Sequence, residues 1–222
     1  FGTMSFSQIL QPAIELAENG FPVYQRMQVR LMNLVDRFMS LYPTSADLYC
    51  PNGRVPEAGE VFRNPDFANT LKTMCAAEAS SKQKGRISGI EAARDVFYQG
   101  SIAERILDFA TNNPVEDASG KAHTALLSLA DMAQWQASVE EPVTSSYRDF
   151  EVHKCPPWTQ GPVFLQILGL VEGYDLAGMG HNSADYLHTI IESNKLAFAD
   201  REAYYGDPTF DKVPLDVLLS KE

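Results

Sequence analysis

The chain has 222 residues, 45% of them apolar, and a net charge of −11. That length allows one large domain or two small ones with a sizeable core, and the apolar fraction argues against disorder. The acidic balance argues against nucleic acid or an anionic membrane as partner, because a phosphate surface would be repelled.

Helical periodicity dominates in chain order. Phe6, Ile9, Leu10, Ala13, Ile14 and Ala17 follow the i, i+3, i+4 spacing, and Asn19-Gly20 supplies a left-handed stop. Residues 23–41 repeat the pattern through Met27, Leu31, Leu34, Val35 and Phe38, ending before Pro43. LYCPNGRVPEAGEVFRNP then reads as a loop wrapping a surface. Asn64-Pro65-Asp66 opens a helix to about Ser80, with an Asn cap, Pro at the first helical position and an acid near the dipole. After the polar break SSKQKGR, Ser88 and Glu91 form a capping box for a helix over 89–98, and Gly100-Ser101 starts another through Ala110.

NNPVEDASGK is the candidate mobile loop, and Ser128 caps a short helix over Leu129–Trp135. PVTSSYRDFEVHKC reads as the one convincing strand pair: Val143 and Tyr147 precede a turn, Phe150 and Val152 alternate after it, and Pro156-Pro157 end it. A helix follows over Val163–Val171, broken by Gly173. Asn182 and Ser183 cap the last one, 184–205. The chain is predominantly α with one β-hairpin, a helical part over 1–113 and hairpin plus helices over 128–222. Two strands do not make an independent sheet, so they either stay a lone hairpin or, the preferred reading, join a sheet whose other strands lie outside this sequence.

No stretch nears the roughly 20 apolar residues of a membrane span. FGTMSFSQIL lacks the basic and apolar regions of a signal peptide and does not begin with Met, so the chain reads as part of something longer, and its compartment stays open between cytoplasm and periplasm. Cys50, Cys75 and Cys155 are unpaired by motif and read as reduced thiols. His188 and Glu192 share a helix face, but one His and one Glu are an incomplete metal set. His123 and His153 have no partners in sequence. No nucleophile-elbow, zinc or phosphate-loop pattern occurs, and GYDLAGMGHN fits no nucleotide motif, so neither cofactor nor metal is expected.

On the last helix, Leu187, Ile190, Ile191, Asn194, Phe198 and Arg201 fall on one stripe. A buried Arg201 needs an acid, and Asp200 and Asp207 are near in sequence. Glu192, Lys195, Asp200, Arg201 and Asp207 are therefore read as an ion-pair clamp for the helix rather than as chemistry.

This last helix carries a resemblance. Leu187-His188, Glu192, LAFADREAYYGDP and Phe210 resemble the helix-and-turn motif of gamma-glutamyltranspeptidases. PAIELAENGFPV, LYCPNGRVPEAGEVFRNPDFANTL, FYQGSIAERI and SLADMAQWQASVEEPVTSSYRDFEVHKCPP resemble that family's large subunit, in its order and along nearly the whole chain. The resemblance implies the middle and C-terminal part of the large subunit of an N-terminal nucleophile hydrolase, its hairpin feeding a four-layer αββα sandwich. Such precursors cut themselves and expose a Thr at the start of a small subunit. That hydroxyl attacks an amide carbonyl with its own α-amine as base, giving an acyl-enzyme resolved by water or an acceptor amine.

The implied partners are the rest of the large subunit, the small subunit with its nucleophilic Thr, and a small amide substrate. No catalytic residue is assigned to this chain. One departure stands out: where the family often has prolines followed by Ser-Ser-Gly-Gly, this chain has Pro156-Pro157-Trp158-Thr159-Gln160-Gly161-Pro162. In the family that run turns from strand to helix at the edge of the active-site region. Trp158, Thr159, Gln160 and Gly161 are thus expected to shape the substrate region, and amide hydrolysis stands level with glutamyl transfer. The rival readings are an independent helical interaction module and a thiol hydrolase using Cys155 beside His153.

Overall fold

The structure, a computed structural model, describes residues 2–117 and 119–221. It divides into two compact units, 1–136 and 137–222, and is mostly helical with three small antiparallel sheets among the described residues.

In the first unit, helix α1 (Phe6–Asn19) begins with a capping box: the Ser5 hydroxyl accepts from Gln8 N–H, and the Gln8 side chain accepts from Ser5 N–H. Its end at Gly20 has φ +92°, and a Cβ there would lie 2.4 Å from Val61 Cγ1. Glycine therefore lets strand β1 (Phe21–Pro22) pair with β2 (Val61–Phe62), Phe21 opposite Phe62. The expected helix over 23–41 is two helices, α2 (Gln25–Met32) and α3 (Val35–Leu41), and Pro43 starts rather than follows another, α4 (Pro43–Tyr49). Pro at the first helical position loses no hydrogen bond, which is why it can open α4. The expected loop from 48 to 65 is thus shorter. It is stiffened by Phe62 stacked on Tyr49, with ring centroids 5.6 Å apart, and by Arg54 paired with Glu60 at 2.6 Å.

Helix α5 (Pro65–Ser81) starts as expected, Asn64 Oδ1 accepting from Phe67 N–H. Its Ala68 packs with Ile14 and Ala17 of α1 to make one core. Helix α6 (Arg86–Tyr98) departs from expectation: it begins after Gly85, whose φ of +110° makes the turn, and Ser88 donates back to the Lys84 carbonyl instead of capping. Gly89 lets α6 approach α5, since a Cβ there would sit 3.2 Å from Glu78. Glu78, 8% exposed, accepts the Phe6 N–H with both carboxylate oxygens, so a buried charge anchors the positive end of α1.

Helix α7 (Ser101–Asn112) packs Ala103 and Leu107 against Met132 of α8 (Leu129–Gln134), the second core. Ser128 caps α8 as expected. Arg94 of α6 donates to the Trp135 carbonyl at 2.7 Å, and Tyr98 stacks on Trp135. These contacts place α8 with the first unit. The candidate loop 112–121, of which residue 118 lies outside the described residues, holds half of a short ladder. Strand β3 (Val115–Glu116) pairs there with β4 (Ala122–His123).

The second unit opens with the expected hairpin, β5 (Val143–Tyr147) and β6 (Phe150–Lys154), five residues each with Tyr147 opposite Phe150. Helix α9 (Gly161–Glu172) packs against it and against α10 (Ala184–Tyr204), and a short α11 (Leu215–Leu218) follows. The N-cap of α10 is Ser183, accepting from Tyr186 N–H. Asn182 instead takes a left-handed φ of +58°. Because β5 and β6 form a two-stranded sheet here, no four-layer sandwich exists within the described residues.

Candidate functional site

The turn out of β6 is built by its own backbone. Thr159 N–H and its hydroxyl both donate to the Pro156 carbonyl, each at 2.9 Å, and Gly161 N–H donates to the Thr159 hydroxyl at 3.0 Å. Gly161 is buried where α9 starts, and a Cβ would stand 2.3 Å from the Cys155 carbonyl oxygen. With Thr159 and Gly161 committed inward, Trp158 faces out. Its indole N–H donates to Glu140 Oε2 at 2.8 Å, which fixes the ring. The Gln160 side chain makes no hydrogen bond to a described residue.

Forty residues later α10 ends in a second turn. Tyr205 N–H closes on the Arg201 carbonyl, and Asp207 Oδ1 accepts from Thr209 N–H at 2.8 Å. Gly206 sits against Asp211, where a Cβ would meet its carboxylate at 2.5 Å. The two turns face one another across an open cleft of about 590 Å³ lined by Trp158, Thr159, Gln160, Arg201, Tyr205 and Asp207, among others. Residues singled out separately in the sequence thus meet; Gly161 lies beneath the cleft instead of lining it.

Under the cleft, Gln166 of α9 is buried and satisfied: its Nε2 donates to Asp200 and its Oε1 accepts from the Tyr205 hydroxyl at 3.5 Å. Burial, with the Asp200 charge adding to it, pushes the Tyr205 phenol above its ordinary range, so it remains a protonated donor at neutral pH.

The charged residues of α10 make mostly local pairs. Lys195 Nζ reaches both Glu192 oxygens at 2.9 Å, which holds the Glu192 carboxyl below its usual range. Arg201 pairs with its neighbour Glu202 at 3.0 Å, and its guanidinium lies 5.4 Å from the Phe198 ring centroid. Asp200, through Gln166, is the member of the group that bonds to another helix. The apolar stripe also differs from expectation: Leu187 and Ile191 are 44% and 54% exposed, while Ser193 and Ala197 are buried. Small side chains on that face let α9 and α10 approach, which a pattern scored on hydrophobicity does not register.

A larger cavity, about 950 Å³, lies along α9 between Leu165, Gly169, Glu172, Val217 and Lys221. The sequence reading assigns no element after the helix ending at 205, so it does not reach this cavity; the i, i+3 pair Leu215 and Leu218 of α11 is the signal for it. Glu172 anchors that tail, accepting from Lys221 Nζ at 2.7 Å and from Arg148 N–H in the hairpin turn. Those two donors, Lys221 first, hold its carboxyl below the ordinary range.

His153 does not serve Cys155. Its Nδ1 lies 2.8 Å from Thr144 Oγ1 and its Nε2 3.0 Å from Glu151 Oε1, so neither ring nitrogen is free to take a thiol proton. No three His, Cys, Asp or Glu side chains among the described residues are placed to hold a metal ion, and no helix among them is long and apolar enough to cross a membrane.

Comparison with known proteins gives a consistent result. The family model described as gamma-glutamyltranspeptidase matches residues 1–222. The chain is 32% identical to the glutathione hydrolase-like YwrD proenzyme of Bacillus subtilis (strain 168), covering 100% of this chain and 37% of that protein. Among solved structures it is similar to LmbA2991 in its T421A form, with TM-score 0.89, 41% identity, and coverage of 99% of this chain and 36% of that one. It is also similar to the cephalosporin acylase of Bacillus halodurans, with TM-score 0.80, 28% identity, and coverage of 100% and 37%. The chain therefore spans little more than a third of the length of these relatives.

Proposed function

Because the chain belongs to the gamma-glutamyltranspeptidase family, we propose that it is the middle and C-terminal part of the large subunit of an amide hydrolase or acyltransferase. The nucleophile would be a Thr on polypeptide outside this sequence, exposed when the precursor cuts itself. Its hydroxyl would attack the amide carbonyl, the leaving amine would depart with a proton, and water or a second amine would release the acyl group. The segment Trp158-Thr159-Gln160-Gly161 would shape the substrate region, and Glu192, Lys195, Asp200, Arg201 and Asp207 would brace α10 behind it.

The observation that carries this reading is the end-to-end family match of a chain that still spans only 36–37% of YwrD and LmbA2991. Relatives bearing both glutathione hydrolase and acylase names support an enzyme parent while leaving its amide open. The whole-chain match disfavours a free-standing helical interaction module.

The test uses the full precursor. It should convert on standing into two chains, the smaller beginning with Thr, and the processed protein should release product from either a gamma-glutamyl or another small acyl amide. Replacing that Thr by Ala should abolish both steps. A precursor that stays whole and turns over neither substrate overturns the reading.

A further inference from the structure

The cleft between the two turns has a chemical character of its own. Trp158 remains 56% exposed although its indole N–H is tied to Glu140 at 2.8 Å, so the ring is fixed while much of its surface stays open. A ring already held in one orientation loses little freedom when a ligand stacks on it. Beside it, Gln160 carries a carboxamide with no bond to a described residue, leaving one donor group and one acceptor available. The charge across the cleft is largely matched: Arg201 is paired with Glu202 at 3.0 Å, and Asp207 adds a second carboxylate. One cation facing two carboxylates disfavours a further anion and leaves a neutral group unopposed.

We infer that this cleft is a subsite for a neutral, planar amide: an aryl or heteroaryl group stacks on Trp158 while the adjoining amide exchanges hydrogen bonds with the Gln160 carboxamide. Tyr205 also lines the cleft, but its hydroxyl proton is given to Gln166 Oε1, so the donor and acceptor offered to the amide are those of Gln160. The inference rests on the amide-handling reading above and narrows it, assigning to Trp158 and Gln160 the selection of a flat uncharged substituent over a carboxylate-bearing one. Trp158 in this role is a specificity residue and breaks no bond.

The test is a binding titration on the full, processed protein with two probes of the same ring and opposite charge state, benzamide and benzoate. Benzamide should bind at least about fivefold more tightly than benzoate, the cleft carboxylates opposing the anion. Trp158→Leu should weaken benzamide about three- to tenfold, the scale of an aromatic pair. Gln160→Leu should weaken it about three- to tenfold, the scale of one neutral hydrogen bond. Trp158→Phe, which keeps a ring, should retain most of the affinity even if the leucine variant folds poorly. Equal or tighter binding of benzoate, or benzamide affinity unmoved by both Gln160→Leu and Trp158→Leu, overturns the subsite. The titration reads binding alone, so an inert wild type would defeat the amidohydrolase reading while the subsite is still decided by the two probes.

Discussion

Two glycines of α9 should respond in opposite directions to the same substitution. At Gly161 an added Cβ would stand 2.3 Å from the Cys155 carbonyl oxygen, 2.9 Å from Lys154 Cβ and 3.1 Å from Cys155 N. The first of these is more than 1 Å inside the roughly 3.5 Å optimum for non-bonded atoms, and the atom it meets is backbone, which cannot rotate away. Gly161→Ala must therefore push the start of α9 off the end of β6, at a cost of about 2–3 kcal/mol. In a chain of this size that lowers Tm by roughly 4–12 °C. At Gly169 nothing lies within 4 Å of the added atom. There Ala improves the helix by ~0.5–1 kcal/mol, raising Tm by roughly 1–4 °C. Thermal unfolding followed by circular dichroism reads both. Combining Gly161→Ala with Lys154→Gly should recover little, because the carbonyl contact persists. A Gly161→Ala protein as stable as wild type, or full rescue by the double variant, would refute the backbone-clash argument.

Acid should separate Glu172 from its neutral analogue. Its carboxyl is held low by Lys221 and by the Arg148 N–H, so its contribution is present above the unfolded-state pKa near 4.5 and fades as pH falls through the lower folded-state value. Glu172→Gln should thus be less stable than wild type at pH 7, with the gap narrowing below about pH 4.5; urea midpoints at pH 7, 4 and 3 check this, and a gap independent of pH contradicts it. The thiols should label in order of burial. Cys155 is exposed, whereas burial pushes the Cys50 and Cys75 thiols up, so a thiol-specific chromophore should modify Cys155 first and Cys50 only on unfolding. Early modification of Cys50 in the folded chain would place it elsewhere than in the core.

Elements with a local cause were legible in the sequence. Asn64-Pro65, Ser128, Ser183 and the Tyr147–Phe150 turn announce themselves within four residues, and the structure puts α5, α8, α10 and the β5–β6 hairpin there. Less legible were features decided at a distance. Nothing near Phe21 says that Phe62 will pair with it, since the ladder depends on Gly20 admitting Val61. The start of α6 is instead a choice between two local signals three residues apart, and Gly85 rather than Ser88 makes the turn. The cleft was half legible: Trp158–Gln160 and Arg201–Asp207 were each noticed, but their meeting follows from how α9 and α10 pack.

That packing bears on why so much apolar surface stands outward on α10. A free surface helix turns its large apolar side chains inward and its small or polar ones out. Here Ser193 and Ala197 are buried on a helix that packs with α9, while Leu187, Ile191 and Leu196 stay about half exposed. At about 25 cal/mol per Å² of apolar surface, leaving several such side chains in water costs stability that a complete domain would recover by covering them. The sequence stripe that reads as core is thus a stripe for which the described residues provide no full cover. A chain spanning little more than a third of YwrD and of LmbA2991 is expected to leave such a surface, which the proposed remainder of the protein would cover. On that account, hydrogen exchange along 187–198 should slow when the full precursor is compared with this chain alone. Equal exchange in the two would leave the two outward leucines and the isoleucine unexplained by missing polypeptide, and would count against the subunit reading itself.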